Sequence, residues 1–291
     1  MGRLADCRKQ KHATFDLHHT PQAMRPIAIP TFISQHDQPR DVLQKNIDRI
    51  RDNITKFNAA LPDATIIIPA FNEQDNILKT LSSLSASSSK KKIEIIVVNN
   101  NSADATGELS TLAGARCVFE EQQSITAARN TGLRMATGNF ILNADADTIY
   151  PPDWIDLMLE PLYRDDVAMV YGNYAFLPTT GTSRFIYFAY EYVSDVSKWM
   201  NKKFREEAVN IYGSNSAFRR EEGIMVGGFD HPPEANEDGW LGLKLRNTLH
   251  KSLVKVEDYR ALVWTTDRRI QLDGGLWKGS LKRLKRHLLP S

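Results

Sequence analysis

Between residues 64 and 160 the chain alternates at short intervals between two kinds of segment, and few folds tolerate that pattern. "ATIIIP" (64–69), "KIEIIVVNNN" (92–101), "ARCVFEE" (115–121) and "NFILNAD" (139–145) are apolar runs rich in β-branched residues. Pro69 is expected to end the first of them. Between them lie "NEQDNILKTLSSLSAS" (72–87), "SADATGELSTLAG" (102–114) and "SITAARNTGLRMAT" (124–137). The first of these reads as a capped helix, the second as a helix with Ser102 at its N-cap, and the third as another helix. Such repeats imply an α/β fold with a mainly parallel sheet and helices on both faces. Ligands of such sheets bind outside the carboxyl ends of the strands. Here those ends are "PAFNE" (69–73), "NNNSAD" (99–104) and "NADADT" (143–148), all polar, so a site is expected there.

The last of these exits holds two carboxylates, Asp145 and Asp147, with only Ala146 between them. Read as the end of a strand, they point to one side with Cα atoms roughly 6–7 Å apart. Neither G-x-G-x-x-G nor G-x-x-x-x-G-K-[ST] occurs, so phosphate is not cradled by a glycine-rich loop. Paired carboxylates suit a hard divalent cation, Mg²⁺ or Mn²⁺, that keeps water and phosphate oxygens as its other ligands. Taken alone, a D-x-D pair is equally at home in a surface turn.

Elsewhere the pattern is looser. Residues 1–40 read as an irregular N-terminal arm, and 41–62 as one amphipathic helix whose face carries Leu43, Ile47, Ile50, Ile54, Phe57 and Leu61. After residue 160, "VAMVYGNYAFL" and "SLVKVEDYRALVWTT" read as strands and "VNIYGSNSAFRRE" as a strand and turn. The aromatic-dense "TSRFIYFAYEYVSDVSKWMNKKF" (182–204) reads as a helix, and "GIMVGGFDHPPEANEDGWLGLKLRNTLH" as a loop running into one. Residues 271–291 form a basic segment with Trp277, Leu281, Leu284 and Leu288 on one helical face. The formal net charge of +2 gives no general attraction to nucleic acid, and no nucleic-acid partner is expected. No stretch of about 18 apolar residues occurs, so no membrane-crossing helix is expected. The first residues lack the apolar core of a secretory signal, and the two cysteines, Cys7 and Cys117, have no metal-ligand spacing. A cytoplasmic location follows as the expectation, with the basic C-terminal face able either to pack on the domain or to lie on the inner face of the cell membrane.

Six blocks in order give these features a context: "TIIIPAFNE" (65–73), "IIVVNNNSAD" (95–104), "AARNTGLRMATGNFILNADADT" (127–148), "YGSNSAFRRE" (212–221), "VGGFD" (226–230) and "NEDGWLGLKLR" (236–246). Together they resemble a family 2 glycosyltransferase over residues 64 to about 270. The resemblance implies a GT-A nucleotide-diphospho-sugar transferase fold, a Rossmann-like sandwich over 63–270 with a nucleotide-binding half (63–160) and an acceptor-binding half (161–270). It also implies inverting transfer of one sugar from a nucleotide-diphosphate donor, a UDP-sugar first of all, to a saccharide or lipid-linked acceptor in cell-envelope synthesis. The Gln-x-x-Arg-Trp motif of processive relatives is missing, which favours transfer of a single sugar.

The same resemblance assigns roles. Pro69, Ala70, Asn72 and Glu73 match the exit that lines the nucleoside pocket. Asn99 and Asn100 stand where the family often carries aspartates, one of which reads uracil; a neutral amide donates as well as accepts and can still pair with uracil. Arg129 matches an arginine near the nucleotide phosphates. Asp147 is expected as the metal ligand, with Asp145 nearer the ribose or a metal-bound water. Glu237 and Asp238 match the acidic pair before the acceptor-side helix, with Asp238 as the general base. Gly213, Ser214 and Asn215 match a turn beside the donor sugar, and Trp240, where a second aspartate often stands, offers a sugar platform or core. Arg268 and Arg269 match a mobile loop that closes on the diphosphate. His231 and His250 read as loop and helix histidines rather than metal ligands. Two other readings are a sugar-1-phosphate nucleotidyltransferase, whose Gly-rich basic loop is missing from "PAFNEQDN", and a non-catalytic nucleotide-sugar binder, against which the retention of Asp145, Asp147 and Asp238 argues.

Overall fold

The computed structural model describes residues 24–57, 61–179, 181–233 and 235–272. Three short helices, α1 (Thr31–His36), α2 (Arg40–Gln44) and α3 (Ile47–Phe57), lead into the alternating region. That region runs β1 (Ala64–Ala70), α4 (Ile77–Ser85), β2 (Ile93–Asn99), α5 (Thr106–Leu112), β3 (Arg116–Phe119), α6 (Ile125–Met135) and β4 (Phe140–Asn143). There follow β5 (Thr148–Ile149), α7 (Trp154–Leu159), β6 (Val167–Tyr171), β7 (Tyr174–Leu177), α8 (Arg184–Phe204), β8 (Ser216–Arg219) and α9 (Arg220–Met225). The described part closes on α10 (Glu237–Leu249), β9 (Ser252–Lys255), β10 (Val263–Thr266) and α11 (Arg268–Leu272).

A seven-stranded sheet in the order β3-β2-β1-β4-β8-β6-β9 forms the centre. All its neighbours pair in parallel except β8, which runs against both β4 and β6. The two halves anticipated at 63–160 and 161–270 therefore share one sheet. β1 is buried along its whole length, and the two-residue period of a strand divides its isoleucines between the layers. Ile66 and Ile68 belong to the core that holds Leu78 and Leu81 of α4, and Ile67 to the core that holds Ala128 and Leu133 of α6. Gly132 of α6 is small because a Cβ there would come 2.3 Å from Ile67. A second sheet, β5-β10-β7, packs Ile149, Trp264 and Leu177 with Ile33 of α1.

Several local expectations are corrected. β1 runs past Pro69 to Ala70, whose carbonyl accepts the Asn100 N–H at 2.8 Å. The helix expected over 41–62 is two helices, broken at Lys45–Asn46, where the Asn46 amide donates back to the Val42 carbonyl (3.0 Å) and competes with the backbone pattern. Leu61 lies off its face, 87% exposed. The arm is not irregular throughout: α1 buries Ile33, and His36 Nδ1 meets Ser82 Oγ at 2.8 Å. α5 starts at Thr106, not at Ser102, and α4 starts without a side-chain cap. The described part of the chain ends at Leu272, so the basic face centred on Trp277 lies outside the described residues.

Candidate active site

The exits of β1 and β2 interlock. Asn72 adopts a left-handed backbone (φ 53°), and its side-chain oxygen accepts the Ala103 N–H at 2.9 Å. Ser102, freed from capping, accepts the Asn72 N–H at 3.1 Å. Asn99 is also used within the loop, its Oδ1 accepting the Ser102 N–H at 3.0 Å. Asn100 is buried; its amide donates to the Gln122 carbonyl (2.6 Å) and accepts from the Ser124 N–H (3.0 Å). These contacts fix the floor of a cavity of about 400 Å³ lined by Pro69, Ala70, Glu73, Asn100, Asp145, Asp147 and Arg268.

Asp145 and Asp147 do not lie on the strand. β4 ends at Asn143, and both carboxylates occupy the turn between β4 and β5, so the two-residue period does not set their direction. Tertiary contacts set it instead. The Asp145 N–H donates to the Tyr150 hydroxyl (2.8 Å), which donates to the Ser214 carbonyl (3.0 Å). Asp147 accepts from Thr266 Oγ1 at 2.9 Å. Both carboxylates line the smaller cavity and also a larger one of about 790 Å³, which holds Arg129, Gly213, Ser214, Glu237, Asp238 and Trp240.

Arg129, its side chain 1% exposed, lies on the wall of the larger cavity. Its Nη2 donates to Asp145 Oδ1 at 2.8 Å, and its Nε stands 3.5 Å from Asp238 Oδ1. Arg129 Nε and Nη1 and Asp238 Oδ1 are buried without a hydrogen-bond partner. Orphaned buried polar atoms of this kind point to a ligand group. Gly213 explains itself here: a Cβ would come 2.1 Å from Arg129 Nη2 and 2.6 Å from Asp238 Oδ2. Its smallness makes room for this ion pair at the wall of the larger cavity.

The charges are out of balance. Burial raises the Asp238 carboxyl to about 7, with Arg129 and the Gly213 N–H pulling down and Glu237 and Asp145 pushing up. Burial also raises Asp147 to about 6, helped by Asp145 and Glu73. Arg268 partly answers the second excess. Its Nη2 bonds the Glu73 carboxylate and lies 3.7 Å from Asp147 Oδ2.

Among the described residues no group of three or more His, Cys, Asp or Glu is gathered to hold a metal by itself. The donor set nevertheless fits a hard divalent cation: two half-buried carboxylates facing a cavity that can admit phosphate oxygens. His231 is occupied with Thr126 and the Pro232 carbonyl, and His250 caps α10 in a left-handed conformation.

Not every expected residue comes to the cavities. Asn72, Asn99 and Asn215 line neither. Asn215 is 1% exposed; its amide donates to the Asn173 and Ala261 carbonyls and accepts the Trp154 indole N–H. It holds the turn rather than facing a sugar. Arg269 lies in α11, and its side chain falls outside the described residues. Tyr150 and Thr266 were missed. Neither carries a sequence signal, because each matters only through a partner distant in the chain.

The architecture is that of the GT-A nucleotide-diphospho-sugar transferases. It is shared with a mannosyltransferase, PcManGT, of Pyrobaculum calidifontis solved with GDP-Man and Mn²⁺ (TM-score 0.52, 20% identity, 80% of this chain and 66% of that one). TarS of S. aureus, solved with UDP-GlcNAc, is similar in the same way (TM-score 0.54, 17% identity, 70% and 58%). The chain belongs to glycosyl transferase family 2, whose model matches residues 65–222. Its sequence is 30% identical over 173 residues to the glycosyltransferase AglE of Haloferax volcanii, covering 54% of this chain and 57% of AglE. It is 26% identical over 114 residues to WfgD of Escherichia coli, a UDP-Glc:α-D-GlcNAc-diphosphoundecaprenol β-1,3-glucosyltransferase, covering 38% and 45%. The chain thus spans about half the length of these two relatives.

Proposed function

We propose that the protein is an inverting glycosyltransferase that moves one hexose-type sugar from a nucleotide diphosphate, UDP before others, to an acceptor hydroxyl in cell-envelope synthesis. The observation that carries this reading is the carboxylate of Asp238. It is buried, raised to about 7 and lacks a hydrogen-bond partner on Oδ1, on the wall of a cavity that meets a second cavity at Asp145 and Asp147. The smaller cavity suits the nucleoside and the larger one the sugar and its acceptor. In this reading Asp238 takes the acceptor hydroxyl proton as the oxygen attacks the anomeric carbon from the face opposite the diphosphate. The bond to the diphosphate oxygen breaks, and configuration inverts. Arg129 keeps the Asp238 carboxylate oriented and offers its unpartnered nitrogens towards ligand oxygens. Asp147, with Asp145 beside it, would hold a divalent cation, Mn²⁺ or Mg²⁺, which when bound neutralises charge on the leaving diphosphate. Arg268 is then free to turn to the phosphates.

The UDP-Glc donor of WfgD and the UDP-GlcNAc bound to TarS support a UDP-sugar, and the GDP-Man bound to PcManGT keeps GDP in the test. WfgD also supports a lipid-linked acceptor, hence peripheral work at the inner face of a membrane. The test is a thermal-shift panel of UDP, GDP, dTDP and CMP with and without Mn²⁺. Stabilisation by one diphosphate only with metal supports the reading. Stabilisation by none, together with no nucleotide release from any donor sugar, overturns it.

A further inference from the structure

α8 is built inside out. Its 21 residues extend about 30 Å, and the side turned to the protein carries its charges. Glu191 is 1% exposed, held by Arg25 (3.1 Å) and Arg184 (2.8 Å), and accepts the Phe176 N–H at 2.7 Å. Asp195 pairs with Arg25 at 2.7 Å and Lys198 at 3.6 Å. The side turned outward is apolar. Phe185, Tyr192, Val193, Val196, Trp199 and Phe204 fall within about 140° on the helix, a continuous stripe. Val193 is 70% exposed and Trp199 56%. A water-facing helix shows the opposite arrangement, so this face is made for an apolar medium.

Its chemistry selects the medium. Both carboxylates of the helix lie on the inner side, leaving the outer side and its C-terminal end with Lys202, Lys203 and Arg205. Lys203 Nζ stands 5.1 Å from the Trp199 ring and 5.4 Å from that of Phe204. Glu207 answers Lys202 at 3.1 Å, which leaves Lys203 with its two aromatic neighbours as the cationic edge, and such an edge matches an anionic headgroup layer over acyl chains better than a second copy of itself. Among the described residues no helix is long and apolar enough to cross a membrane, so the helix lies along the surface.

We propose that α8 is an in-plane anchor that seats its outer stripe in the headgroup–acyl boundary of an anionic bilayer. This deepens the membrane-side part of the proposed function. α8 also packs on residues 207–210, joined by Asn210 Nδ2 donating to the Lys198 carbonyl at 2.9 Å, and Ala208 and Val209 of that segment line the larger cavity. A bilayer against α8 therefore lies behind one wall of that cavity.

The test uses the full chain without any sugar donor, so its failure leaves the transferase reading standing. The wild type should sediment with vesicles of phosphatidylcholine and phosphatidylglycerol, and less with phosphatidylcholine alone. The double variant Val193→Asp, Val196→Asp alters only exposed positions; with circular dichroism unchanged, its partitioning should fall by a factor of about ten or more. Brominated lipid should quench tryptophan emission of the wild type, and Trp199→Phe should bind normally while losing much of that quenching. Wild type left in the supernatant, or full binding by the double variant, overturns the proposal. So does a dimer by ultracentrifugation that the double variant breaks without any vesicle binding.

Discussion

Arg129 and Asp238 form an ion pair inside the protein, Nε to Oδ1 at 3.5 Å, with the backbone of Gly213 pressed against both. The second carboxylate on the same guanidinium, Asp145, connects this pair to the mouth of the smaller cavity. One buried cation thus ties the proposed base to the proposed metal side. Arg129→Ala would leave two carboxylates without their cation, and a loss of about 3–5 kcal/mol in folding free energy is expected by denaturant titration.

Asp238→Asn should keep nucleotide binding, measured by calorimetry, and lower turnover by about 10²–10⁴. The wild-type rate should rise with pH through about 7, because the base works ionised and burial holds its proton to that value. A variant retaining wild-type turnover would remove Asp238 from the mechanism.

Gly213→Ala places a methyl 2.1 Å from Arg129 Nη2 and 2.6 Å from Asp238 Oδ2, so these two buried side-chain ends must shift. Destabilisation of about 1–3 kcal/mol is expected from overpacking, with activity falling because Arg129 and Asp238 are pushed apart. A melting temperature equal to wild type would show that the turn yields instead.

Arg268→Ala should expose Glu73 and Asp147. Mn²⁺ binding without nucleotide, followed by the electron-spin signal of the free ion, should tighten severalfold as the competing guanidinium goes. Donor KM should rise if the same arginine later holds the diphosphate.

Asp147 makes stability depend on pH. Its folded pKa is raised from 3.8 to about 6, so between those values the folded state holds a proton that the unfolded chain has lost. Its contribution is therefore fully present below about 4 and is lost as pH rises through about 6. In metal-free protein, melting temperature should decline across that window, with Asp238 carrying the decline on towards about 7, and Asp147→Asn should make it shallower, by about 1–3 kcal/mol at pH 8. With Mn²⁺ the slope should weaken, because binding needs the ionised form.

The sequence carried what is local. The periods of β1 to α6 marked the sheet and the polar strand exits marked where a site belongs, because residue type and spacing are short-range properties; Asp238 was legible only through the resemblance to family 2 glycosyltransferases. What it hid depends on partners far along the chain. The turn at Asp145 is set by Tyr150 and Ser214, the smallness of Gly213 by Arg129, and the burial of Asn215 by Asn173, Ala261 and Trp154. The break between α2 and α3 rests on one amide, Asn46, competing with a repeating pattern that gave no warning of it.

The reversed strand β8 has a consequence for synthesis. β4 takes its second neighbour from residues 216–219, and Asn143 and Ser216 are 73 positions apart. At about 5–20 residues per second the ribosome needs on the order of 4–15 s to make that stretch. Throughout that interval the nascent chain carries β4 as an open sheet edge, with β6 already made but unable to join except through β8. Pauses in translation over residues 145–215 should therefore govern how much of the newborn protein is captured by chaperones or lost to aggregates.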